Sequence, residues 1–369
     1  MASWTLGSVR GIPVRVHWSL LLVLPLFAYV MARQYFAGED ALTLRSIAWG
    51  SALAVTLFLS VLVHEFSHSF MALRLGSRVR SILLMPLGGV SQMESMPERP
   101  RDEFLVTVVG PLTNFLIAGP LLVLHFLQVV PDPGGLATYV RWAGWLNVGL
   151  GAFNLFLPAF PLDGGRLLRA ALASRMGLRQ ATRTAAAIGR GLAFLLGVFG
   201  LLALNAGGIW LILIAFFIYL GAGAEESATT LRALLRGRTA RDLMTAQPVA
   251  LAPDDTLDDV QRTMLRTRHL SFPVLQDGKV VGCLGLEEMA AIDHDRLAAT
   301  LVRDAMSPEI PRVAPDEAAE ALVRRLQESG HGHAVVLDGD DVVGIVSRSD
   351  VQRLVQILDA LGDGATRAS

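Results

Sequence analysis

The chain has 369 residues, 52% of them hydrophobic and only 18% charged, with a formal net charge of −1. A soluble domain usually carries about a quarter charged residues, so a wholly water-soluble chain is disfavoured. A near-neutral balance also argues against a nucleic-acid partner. The single cysteine, Cys283, excludes an intramolecular disulfide framework and fits a soluble part in a reducing compartment.

The apolar residues crowd into positions 1 to about 224, and the remainder reads as an ordinary charged globular region. One module in lipid and one in water are therefore expected, divided at 1–230 and 231–369. A bilayer core needs about 20 mostly apolar residues per helix. Runs of that size predict about six spans, over 17–36, 47–73, 104–128, 137–160, 187–205 and 208–224. The first run lacks a small-residue cleavage site and is expected to stay as an anchor. Arginines set the orientation: Arg10 and Arg15 precede the first span, Arg74, Arg78 and Arg80 follow the second, and Arg166, Arg169 and Arg175 follow the fourth. A multi-pass protein of the cell membrane with both termini cytoplasmic is the result.

The second predicted span carries Val63-His64-Glu65-Phe66-Ser67-His68. Residues four apart share a helix face, so His64 and His68 can present both imidazoles to one ion. Glu65 stands where it can take a proton from a water that the ion activates. Zinc suits such a site, because nitrogen and oxygen ligands leave a fourth position open. Polar groups among Leu, Val and Phe are expensive in lipid, and a metal would give them a partner. The fourth predicted span runs out in Asn154-Leu155-Phe156-Leu157-Pro158-Ala159-Phe160-Pro161-Leu162-Asp163-Gly164-Gly165. Asp163 reads either as a cap for the next helix or as a third ligand, since the second and fourth spans run the same way and bring it to the depth of His68.

H-E-x-x-H in one span and L-D-G in a later one resemble the site-2 protease family of intramembrane zinc metalloproteases, in its sporulation-type branch with C-terminal CBS domains. Gly110-Pro111-Leu112-Thr113-Asn114 and Met85-Pro86-Leu87-Gly88-Gly89-Val90 resemble two further motifs of that family. The resemblance implies Zn2+ held by His64, His68 and Asp163, Glu65 as general base, and Asn154 assisting at the oxyanion. It also implies a transmembrane protein as substrate. Asn114 is open between a role at the site and an interhelical tie. The Gly88-Gly89 segment is open between a strand edge that pairs with an unwound substrate and a plain loop. Glu94 and His125 are weaker candidates, the first read as a solvated loop residue, the second on the wrong side. His17 is read as an interfacial anchor.

From Arg241 the sequence repeats. Arg241, Met244, Pro253 and Gly282 recur as Arg303, Met306, Pro315 and Gly344, every pair 62 residues apart. Each repeat, about 241–298 and 303–358, predicts a lead-in segment, a helix, two strands and a second helix. The duplication resembles a tandem CBS pair, an α/β structure in which both units form one body. In such pairs Gly344-Ile345-Val346-Ser347-Arg348-Ser349-Asp350 resembles the segment that contacts an adenine nucleotide (ATP, ADP or AMP), with Ser347 toward phosphate and Asp350 toward ribose. Gly282-Cys283-Leu284-Gly285-Leu286-Glu287-Glu288 lacks the hydroxyl, so one nucleotide site at most is expected. His269 and His331 hold equivalent places and read as framework residues, and a homodimer through the CBS pair is also open. A CBS-regulated ion transporter would need acids spread along several spans, and a zinc-binding scaffold would not need Glu65.

Overall fold

A β-hairpin precedes the first span: β1 (Ser3–Val9) and β2 (Ile12–His17) turn at Arg10 and Gly11, both at positive φ. The computed structural model describes residues 3–37, 42–86, 88–93, 99–131, 135–308, 310–329 and 332–355. Glu94 and His331 lie outside the described residues. The chain divides into two compact units, Met1–Ser227 and Ala228–Ser369.

Among the described residues the hairpin is followed by α1 (Trp18–Met31, with a π-helical continuation Ala32–Phe36), α2 (Leu44–Arg74), α3 (Pro100–Phe126), α4 (Leu136–Phe156), α5 (Asp163–Met176), α6 (Leu178–Leu202) and α7 (Ile209–Leu235), whose last residues, from Ala228, belong to the second unit. His17 closes the start of α1, its Nδ1 lying 2.6 Å from Ser19 Oγ. Thr43 and Ser46 cap α2 reciprocally. Between α2 and α3 the chain makes β3 (Val79–Met85) and β4 (Gly88–Met93). The four strands join in the order β1-β2-β3-β4, with β2 parallel to β3 and β4 at an open edge. Ile12, Val14, Val16, Ile82 and Leu84 turn one sheet face onto Leu20 and Phe58, so alternation in β2 roots the sheet on α1 and α2.

Among the described residues five helices are long and apolar enough to cross a bilayer: Trp18–Phe36, α2, α3, α6 and α7. Only 17–33% of each apolar window is buried within the protein, so most of that surface needs a lipid covering. The fourth expected span, over 137–160, is not among them: it corresponds to the 21-residue α4, which ends earlier and carries Arg141, Asn147 and Asn154. It falls short on apolarity because part of it is walled by protein. Gly144 packs on Leu122 and Gly151 on Phe115, both from α3, while Asn147 is 1% exposed. A helix surrounded by other helices needs fewer apolar side chains than one facing lipid.

The second unit is built twice. The first repeat supplies α8 (Ala240–Leu243), β5 (Thr245–Ala246), α9 (Leu257–Thr267), β6 (Ser271–Gln276), β7 (Lys279–Gly285) and α10 (Leu286–Ala290). The second supplies α11 (Val302–Ala305), β8 (Arg312–Val313), α12 (Ala319–Glu328), β9 (His333–Asp338), β10 (Asp341–Ser347) and a helix over 348–355. The lead-in segments are exchanged. Thr245 and Ala246 pair with Ile345 and Gly344, and Ser307 pairs with Cys283. Met244 sits where a Cβ on Gly344 would go, and Met306 where one on Gly282 would go. Ala240 and Leu243 enter the core of Leu322, Leu326, Val336 and Val346, while Val302 completes that of Leu257, Val260, Phe272 and Leu284. Neither repeat closes its core alone, which is why the duplication forms one paired structure.

Candidate metal centre

His64 and His68 fall one turn apart on the buried face of α2, 6% and 4% exposed. Their Nε2 atoms lie 3.0 Å apart, with the rings at 85° to one another. Asp163, first residue of α5, brings Oδ2 to 3.1 Å from His64 Nε2 and 3.4 Å from His68 Nε2. The chain reaches this point because Gly164 and Gly165 lie flat on the backbone of residues 155–160, where a Cβ on either would overlap carbonyl or amide atoms.

The outer ring nitrogens are engaged elsewhere. His64 Nδ1 lies 2.6 Å from Asn114 Oδ1, and His68 Nδ1 lies 2.6 Å from the Val106 carbonyl. Both partners are acceptors, so each Nδ1 carries the proton and each Nε2 turns a lone pair inward. Asp163 Oδ2 is buried without a hydrogen-bond donor. A single proton could bridge one of these three contacts and would leave the other two repulsive. A divalent cation satisfies all three. For zinc with bonds of 2.0–2.1 Å, tetrahedral ligands stand about 3.3 Å apart, close to the observed triangle of 3.0–3.4 Å. The residues present therefore fit zinc.

Glu65 approaches from the same turn of α2, and one of its carboxylate oxygens lies with the two ring nitrogens in a cluster no wider than 4.8 Å. Oε2 is held by strand β4: it accepts from Ser91 N at 3.0 Å and from Ser91 Oγ at 2.9 Å. Ser69 Oγ stands 2.9 Å from Ser91 Oγ, and Gly89 leaves room for the Glu65 side chain. The Gly88-Gly89 segment is thus a strand at the open sheet edge, beside the carboxylate.

The structure brings together His64, His68, Asp163 and Glu65. Asn154 is half-buried on α4 and donates Nδ2–H to the Leu150 carbonyl, 3.0 Å away within its own helix. His125 lies near the C-terminal end of α3, and the metal cluster among the described residues does not include it. Sequence reasoning missed Asn147, whose Oδ1 accepts from Asn114 Nδ2 at 3.2 Å, and it missed Ser91. An asparagine in the middle of an apolar helix was the available signal for the first. Ser91 offered none.

In the second unit Ser347 and Asp350 bond each other: Asp350 Oδ2 accepts from Ser347 N at 2.9 Å and from Ser347 Oγ at 2.6 Å. The pair caps the helix over 348–355. In the first repeat Glu288 accepts from Gly285 N in the same geometry, without a hydroxyl. Ser347 and Asp350 also line a small cleft with Thr245, Arg268, His269 and Arg353.

The family model for peptidase family M50 matches residues 52–132 and 130–198, and the model for the CBS domain matches 240–294 and 302–357. A zinc metalloprotease of Methanocaldococcus jannaschii is 33% identical over 354 residues, 96% of each chain. The Mycobacterium tuberculosis protein named Rip3 is 35% identical over 368 residues, covering 95% of this chain and 92% of its own. The solved site-2 protease from M. jannaschii aligns at a TM-score of 0.46 with 35% identity, covering 61% of this chain and 95% of its own. The apolar helices, the zinc-shaped cluster and relatives matched end to end converge: this chain belongs to peptidase family M50, the site-2 proteases, as a membrane zinc metalloprotease carrying two CBS domains.

Proposed function

We propose that the chain cuts a membrane-spanning protein substrate, with His64, His68 and Asp163 holding the zinc and Glu65 serving as general base. Bound there, zinc would polarise water and the scissile carbonyl and lower the pKa of the water toward neutrality. Glu65 takes the proton and returns it to the leaving amine. Its Oε2 is fixed by Ser91, so its other oxygen keeps a constant reach. The edge of β4 gives an unwound substrate a row of backbone partners, which an intact helix could not use because its amides are already bonded. Asn154 assists the oxyanion once its amide leaves Leu150. The arginine-rich loops face the cytoplasm, as do both termini.

The observation that carries this reading is the meeting of two inward-facing imidazole lone pairs, an undonated carboxylate oxygen and a poised Glu65 in one buried cluster. A structural zinc site has no use for the adjacent base. Glu65→Gln is expected to keep its zinc and lose hydrolysis by about 100-fold or more. The substrate is the protein whose soluble fragment disappears when membranes bearing Glu65→Gln are compared with wild type. A Glu65→Gln enzyme that cleaves at the normal rate would overturn the assignment.

An adenine nucleotide bound in the cleft of the second unit regulates the protease. Arg268 and Arg353 would meet the phosphates and Asp350 the ribose, once its bond to Ser347 is exchanged. ATP, ADP or AMP should raise the thermal transition of the full-length protein, and Arg353→Ala should abolish the shift. No shift with any of the three would remove the nucleotide from the scheme.

A further inference from the structure

Three charged side chains inside the protease unit have no part in the chemistry above. Arg169 and Glu103 are 4% and 3% exposed. Arg169 donates Nε–H to Glu103 Oε1 at 2.8 Å, and a second guanidinium N–H donates to the same oxygen. The third arm donates to Glu225 of α7. The guanidinium also lies over the Phe160 ring, 5.1 Å from its centroid. Charges so deeply removed from water are costly to bury and are weak evidence for stability as such. Their placement suggests another role.

Asp163 and Arg169 share α5, six residues apart on a helix of 14. The buried turn at 157–162 sets where α5 starts, and Arg169 adds the tie that joins the helix to α3. The helix that receives Arg169 is α3, through Glu103, and α3 also holds the imidazoles, through Asn114 and the Val106 carbonyl. One helix therefore references both halves of the ligand set.

Resting on the reading that Asp163 is a zinc ligand, we propose that Arg169 is a positioning residue. It locks α5 to α3 so that the Asp163 carboxylate arrives within bonding range of the metal. Glu225 is the second arm of this clamp, and it makes the ligand's position depend on α7, the helix that leads directly into the second unit. A guanidinium suits the task because its fork can serve two carboxylates in different directions.

The test is zinc affinity, measured by chelator competition on the full-length protein in detergent, with Asp163→Asn as reference. Arg169→Gln should weaken zinc by roughly 10- to 100-fold, the range for partners that orient a metal ligand, at unchanged helix content. Arg169→Lys should recover part of the loss. Glu225→Gln, at the more exposed arm, should weaken it by about 3- to 10-fold. If Asp163→Asn weakens zinc while both Arg169→Gln and Glu225→Gln bind within twofold of wild type, the clamp is refuted and the ligand assignment stands. If Asp163→Asn binds zinc normally, the ligand assignment falls and the clamp with it. Should Arg169→Gln fail to fold, the Glu225→Gln measurement decides alone.

Discussion

Gly110 is where the smallest substitution should do the most harm to the metal centre. It sits in α3 against the ring nitrogens: a Cβ there would lie 2.8 Å from His64 Nε2 and closer still to the His68 ring. Contacting heavy atoms settle near 3.5 Å, so the rings would have to retreat by about 0.7 Å or more. Zinc–ligand distances tolerate about 0.2 Å. Nor can α3 withdraw, because Asn114 and Val106 on the same helix bond both rings at 2.6 Å. Gly110→Ala should therefore cost at least about 100-fold in zinc affinity, which is about 2.7 kcal/mol. Helix propensity acts in the opposite direction, since alanine is about 1 kcal/mol better than glycine inside a helix. The expected signature is lost zinc without lost helix, read by chelator competition beside far-UV circular dichroism. A Gly110→Ala protein that holds zinc within threefold of wild type would show that the rings are not confined as argued.

Asn114→Leu removes the acceptor that keeps the His64 proton on Nδ1 and should lower zinc affinity about 10- to 100-fold by the same competition assay. Ser91→Ala deletes one of two bonds to Glu65 Oε2 and leaves the backbone amide in place; kcat should fall about 3- to 10-fold with zinc affinity unchanged. Burial raises the Cys283 thiol well above its ordinary value, and its Sγ sits against the Phe272 carbonyl. The native protein should therefore resist iodoacetamide at pH 8, where an exposed thiol reacts within minutes; rapid native labelling would contradict that burial. On the proposed ligand set, stripping zinc should speed hydrogen exchange in the first turn of α5, because the metal would be what holds Asp163 to both histidines, while α2 keeps its own backbone bonds.

The metal motif was legible because its two imidazoles belong to one helix, where spacing alone places them on a face. Asp163 was only half legible. Its approach depends on a turn at 157–162 and on two glycines pressed against that turn, and no local pattern announces such packing. The duplicated second half was readable from 62-residue self-similarity, although the exchange of lead-in segments needed coordinates. Of the four-stranded sheet only the Gly88-Gly89 edge was read, as one of two alternatives. β1 exposes most of its residues, and β3 with β4 follows directly on a long apolar helix, so neither alternation nor composition separated these strands from interfacial loops. Asn114 stood open between tie and function, and the structure shows the tie, to α2 through His64 and to α4 through Asn147. The bond that joins α3 to α2 is the one that His64 makes, and the bond to α4 holds Asn114 itself.

That double duty follows from the solvent. In water, a histidine turned the wrong way finds another partner; in a lipid-surrounded bundle, every polar atom must be answered by protein or metal. The chain meets this demand by running its answers through a single helix. From its N-terminal end onward, α3 offers Glu103 to Arg169, the Val106 carbonyl to His68, the missing side chain of Gly110 to both rings, and Asn114 to His64. All four positions lie within about three turns of one helix. Errors in placing α2 and α5 are then both referred to one body rather than to each other. Two imidazoles and a carboxylate, whose three mutual contacts no single proton satisfies together, can still be held at ligand spacing because the atoms behind them leave them nowhere else to go.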